Sequence, residues 1–185
     1  MDVGPDQDAV EVAKARRSAL EIALGDYDGK HADVLKELRE ELSPTAAVLR
    51  QCVRLAAHED AVIAQGATWL LWSWMTSGSR LTPSIIGELA GMLSGFEDKW
   101  VLLHLVRCVP LMVVPMNHVE AYAEFLLRCC YGQLPFMRAW AMDSLHRLSL
   151  QHAQLEEQAR AAMEAAAVDP APSVRKRLRK ILEGK

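Results

Sequence analysis

The amino-acid sequence predicts an all-α protein, an α-solenoid of about five antiparallel helical pairs. Three observations predict it. Four short stretches recur, Asp60-Ala-Val62, Asp98-Lys-Trp-Val101, Pro135-Phe-Met137-Arg138 and Pro172-Ser-Val174-Arg175, and their anchors Val62, Val101, Met137 and Val174 stand 39, 36 and 37 residues apart. A fixed period in this range is the signature of stacked helical pairs, each unable to bury its apolar face alone. The apolar spacing is helical throughout: Val101 leads to Leu105, Cys108 and Val109, Met137 to Ala141 and Leu145, and Val174 to Leu178, Ile181 and Leu182. Finally, residues 61–79 contain no charged residue. A helix apolar on nearly all sides is buried on nearly all sides, as a middle element of a stack must be.

The elements follow in order. The first pair spans about 6–24 and 30–42, divided by Gly25-Asp-Tyr-Asp-Gly29. Its Val34, Leu38 and Leu42 keep the pattern, but Val34 precedes Val62 by only 28 residues, so 1–42 reads as an atypical N-terminal capping pair and 44–185 as regular repeats of one domain. The second pair spans 44–57 and 59–76. Ser43-Pro44 starts it, Ser as N-cap and Pro in the first turn. The third spans 82–94 and 97–112, with Thr82-Pro83 as the same signal. The fourth spans 116–131 and 135–149. The fifth spans 152–167 and 171–183, with Asp169-Pro170 at its turn.

Composition limits the function. With 51% hydrophobic and 24% charged residues, the chain is a folded, soluble type rather than a disordered one. A net charge of −3 gives no global pull toward nucleic acid or anionic membranes. The charge is uneven: residues 1–42 carry −5 and residues 172–185 carry +5. Such asymmetry either caps the two ends of the stack with water or orients two different partners. Cys52, Cys108, Cys129 and Cys130 fit no disulfide framework and read as free, mostly buried thiols of a reducing compartment. The N-terminus lacks the apolar stretch of a signal peptide, and no segment has the apolar length of a membrane span, which implies a cytoplasmic protein.

The residues from 135 onward resemble HEAT repeats. Pro172-Ser-Val-Arg-Lys-Arg-Leu-Arg-Lys-Ile-Leu is similar to the second helix of such a repeat, and Pro135-Phe-Met-Arg-Ala-Trp-Ala-Met-Asp-Ser-Leu follows the same plan. The repeats opening at Asp60 and Glu97 keep the apolar pattern without the Pro and Arg. The resemblance implies a right-handed superhelix whose second helices line a concave face, and binding or scaffolding as the function. By that rule Trp100, His104, Arg138, Asp143, Arg147, Arg175 and Arg179 face a partner protein. An open stack end also allows end-to-end homodimerisation.

Five tryptophans stand out. Trp69 and Trp72 share a helix face and Trp74 points elsewhere; Trp100 and Trp140 recur in later repeats. They serve either as inter-helix core or as an aromatic patch able to anchor a partner. Trp100, in the polar first turn after Glu97-Asp-Lys, is the one expected to be exposed. The six histidines show no metal-ligand spacing, so no metal or cofactor is expected. Nucleic-acid binding is a second reading. Some HEAT-like proteins are DNA glycosylases for alkylated bases, and Arg138, Trp140, Asp143 and Arg175 resemble their Trp, Asp and Arg set. Here, though, Trp and Asp are three apart rather than four, and the alternative role of Asp143 is an ion pair with Arg147 one turn on. No other catalytic motif occurs.

Overall fold

The computed structural model describes residues 18–184. Among these, the secondary structure is helical with no strand. The helices are α1 (Ala19–Leu24), α2 (Asp33–Glu41), α3 (Ala46–Leu55), α4 (Ala61–Thr76), α5 (Pro83–Ala90), α6 (Lys99–Cys108), α7 (Val119–Cys130), α8 (Pro135–Ser149), α9 (Glu156–Ala167) and α10 (Pro172–Leu182). The part of the first expected helix before residue 18 lies outside the described residues.

Local chemistry sets most helix starts. Asp60 Oδ1 accepts from Val62 N at 2.9 Å, and Thr82 caps α5 through Ile85 N with Pro83 in the first turn. Asp98 Oδ1 takes both Trp100 N (2.9 Å) and Val101 N (3.0 Å). Helices α8 and α10 begin on Pro135 and Pro172 without a side-chain cap. One start differs from the sequence reading. Thr45, not Ser43, caps α3, its hydroxyl accepting from Val48 N, so Pro44 precedes the helix. Several helices are also shorter than their apolar runs suggest, because the runs continue into 3₁₀ turns at Leu93–Gly95, Val109–Leu111, Met116–His118 and Ala153–Leu155.

The packing follows one scheme. Helix α4 lies against α6, α6 against α8, and α8 against α10, while α3, α7 and α9 cover them from one side. Helices α1 and α2 both rest on α4, which therefore has neighbours before and after it, as its uncharged sequence requires. Every side-chain hydrogen bond between distant parts of the described chain joins residues 31 to 39 positions apart. Thus Tyr122 Oη donates to Ile86 O at 3.0 Å, Ser144 Oγ to Val106 O at 2.8 Å, and Gln151 Nε2 to Met112 O at 3.1 Å. The sequence period is also the spacing of the polar contacts that join neighbouring pairs.

All four cysteines are free and buried. Burial pushes the Cys52 and Cys130 thiols up to about 12 and Cys129 to about 11, so none is a ready nucleophile. No described helix is long and apolar enough to cross a membrane.

Candidate functional site: an indole–guanidinium row

Helices α4, α6, α8 and α10 bring four side chains into one alternating row. Trp72 of α4 covers one face of the Arg107 guanidinium, with 3.7 Å from Cζ to the ring centroid. The same Cζ lies over the Trp140 ring of α8 at 4.6 Å. Arg177 of α10 then lies on Trp140 at 3.7 Å. The row therefore runs Trp72, Arg107, Trp140, Arg177 across four helices. Each cation over an indole face is worth about 0.5–2 kcal/mol, the larger value when water is excluded. Trp69 meets Trp72 edge-on, with centroids 6.4 Å apart.

The row is held from beneath. His104, 9% exposed, lies parallel to Trp72 at 6.2 Å and contacts Thr68 Oγ1 through Nδ1 at 3.1 Å. The Thr68 hydroxyl gives its proton to Ala64 O at 2.9 Å, so Nδ1 carries the imidazole proton and donates. Burial first, and then the Arg107 charge, hold the His104 pKa down at about 4. At Asp143, 2% exposed, both carboxylate oxygens are engaged: Oδ1 takes Arg147 Nε at 2.9 Å and Oδ2 takes Arg177 Nε at 2.7 Å, with a second contact to Arg177 Nη2.

Arg107 differs from its neighbours. No carboxylate pairs with it. Its Nε is buried without a hydrogen-bond partner among the described residues, and burial followed by Arg177 lowers its pKa. Its two terminal nitrogens have no hydrogen-bond partner among the described residues, yet they are not among the fully buried unpaired atoms, so both reach the surface of the described structure. Of the three guanidinium groups here, Arg147 and Arg177 share the Asp143 carboxylate.

The seven residues expected to face a partner divide three ways. Trp100 is 42% exposed and stacks on Phe136 at 6.1 Å, while Lys99 sits over its ring; Arg147 and Arg179 are also exposed. Two expectations require correction outright. His104 and Asp143 are buried, because the indole row and the arginines lie over them. A third correction concerns Arg138. It binds Asp169 in a fork, Nε to Oδ2 at 2.7 Å and Nη2 to Oδ1 at 2.9 Å, and its Nη1 donates to Gly132 O and Gln133 O. With every donor nitrogen engaged, Arg138 clips α8 to the turn before α10. Arg175 joins the same turn by donating to Asp169 O.

Of the tryptophans, Trp74 is core, its Nε1 donating to Arg39 O at 3.3 Å, and Trp69, Trp72 and Trp140 are half-buried on the row. Arg107 and Arg177 were missed as site residues. The available signal was an arginine in the run from Val101 to Val109, in which the other polar residue is His104.

Elsewhere, an apolar groove of about 670 Å³ runs between α8, α9 and α10, with Ala159, Met163 and Leu178 among its lining residues. Leu182, expected in the apolar stripe of α10, is 69% exposed beside it. No group of three or more His, Cys, Asp or Glu among the described residues is placed to hold a metal ion.

Among the described residues, fold and site together define a helical structure with an aromatic, cationic row built on α4, α6, α8 and α10. No protein-family model matches the chain, and no curated protein matches it.

Proposed function

We propose that the chain is a HEAT-like α-solenoid acting as a non-enzymatic, cytoplasmic protein-binding module, with the second helices α4, α6, α8 and α10 as its contact face. The observation that carries this reading is the indole–guanidinium row. Four consecutive second helices each contribute one large planar side chain to it. Aromatic and arginine side chains are the types that dominate binding energy at protein interfaces. The shared period of sequence and polar contacts supports the repeat architecture, and residues 1–42 serve as its N-terminal cap.

The base-excision alternative loses its carboxylate. A cationic sugar would need a free Asp oxygen, and both oxygens of Asp143 are held by Arg147 and Arg177. Affinity capture from native lysate, with and without nuclease, tests the reading. A stoichiometric protein that survives nuclease is the expected result. Recovery of nucleic acid, or loss of all partners on nuclease treatment, would overturn it.

A further inference from the structure

Arginines on protein surfaces are ordinarily paired with acids or solvated on all sides. Arg107 is neither. Two indoles flank its guanidinium, at 3.7 and 4.6 Å from Cζ, and Nε is buried, while the terminal nitrogens are not. Beside it, Arg177 and Arg147 share the single negative charge of Asp143, which leaves a surplus of positive charge, and His104 stays neutral. A rigid guanidinium edge open in its own plane is matched by a planar anion with two oxygens, which is the geometry of a carboxylate.

We infer that Arg107 is the seat for a carboxylate of an acidic partner segment, whose neighbouring apolar side chains rest on Trp69 and Trp72. The inference rests on the protein-binding reading and deepens it. A short acidic peptide is favoured over a nucleic-acid backbone by the extent of the positive charge. The cationic cluster is confined to one row on a chain of net charge −3, whereas a phosphate backbone demands a long positive track. Arg177 and Arg147, tied to Asp143, set the local positive potential and steer the acidic segment without competing for the fork.

The test uses the full chain and three fluorescein-labelled probes: a hexaglutamate peptide, a hexalysine peptide and a single-stranded DNA oligonucleotide of matched charge. Binding is read by fluorescence anisotropy, and the Arg107 Nε–Hε NMR resonance is followed in the unmutated protein. Hexaglutamate is expected to bind in a salt-sensitive manner and to shift the Arg107 resonance. Arg107→Met is expected to weaken it about tenfold or more, while Arg160→Gln, an exposed arginine of α9, has little effect. Should Arg107→Met fail to fold, the resonance of the unmutated protein decides. An unmoved Arg107 resonance, equal binding by folded Arg107→Met, or tighter binding of the oligonucleotide through Arg107 would each overturn the inference. If a captured protein partner binds Arg107→Met undiminished, this inference falls while the protein-binding reading stands. If nuclease removes every partner, the broader reading falls.

Discussion

His104 lies beneath Trp72 with its Nδ1 proton on Thr68, and its pKa of about 4 stands below the ordinary histidine value of 6.5. The unfolded chain therefore takes up this proton more readily than the folded one. Stability from His104 is complete above about pH 6.5 and is lost as pH falls toward 4, a change of roughly 3 kcal/mol. Urea unfolding between pH 4 and 7 checks this, and His104→Gln, which keeps a donor for Thr68, is expected to flatten the profile. Gly66 offers a second residue-scale prediction. A Cβ there would stand 2.8 Å from Leu24 Cδ2 and 3.3 Å from both Leu35 Cδ2 and Tyr27 Cδ1. Gly66→Ala gains about 1 kcal/mol of helix propensity but overpacks this junction by about 1–3 kcal/mol. A net loss of stability is expected in denaturant titration, because α1 and α2 reach α4 at this point. Neither residue could be assigned its role from sequence. A lone histidine or glycine in an apolar run carries no mark of what lies across from it.

At the scale of the element, α8 is joined to its successor by the Arg138–Asp169 fork and the Asp143–Arg177 pair, 31 and 34 residues apart. Arg138 holds the Asp169 carboxyl below its ordinary pKa, so this clip contributes stability above the carboxylate range and loses it as the acid protonates. Asp169→Ala would leave Arg138 without its acid and is expected to cost about 2–4 kcal/mol, read from chemical unfolding. A value near zero would mean that the fork is a solvated surface pair. Helix starts were legible where a capping side chain or proline marked them, at Asp60, Thr82, Asp98, Pro135 and Pro172. They were misread at Ser43, where two hydroxyl residues flank Pro44 and the downstream one caps. Helix ends were less legible, since Val109–Leu111 stays apolar while its hydrogen bonding tightens into a 3₁₀ turn. The helical class was legible because apolar residues recur at helical spacing along the chain. The indole–guanidinium row was not, because Trp72, Arg107 and Trp140 fall at different offsets from their anchors and meet only once the helices are side by side.

For the whole molecule, contacts among the described helices are made chiefly between helices near one another in the chain. Deleting residues 150–185 removes α9 and α10 and takes Arg177 from Asp143. The remainder is expected to stay helical by circular dichroism and to melt cooperatively at a lower temperature; complete loss of helicity would contradict a nearest-neighbour stack. The charge pattern belongs to the same scale. The −5 and +5 ends make partner association depend on salt and on orientation. The most direct measurement is hydrogen–deuterium exchange of the full chain, with and without its captured partner. The account predicts protection concentrated in residues 61–76, 99–108, 135–149 and 172–182, the helices that build the indole–guanidinium row. Protection confined to α3, α5, α7 and α9 would contradict it and move the contact surface to the opposite side of the stack.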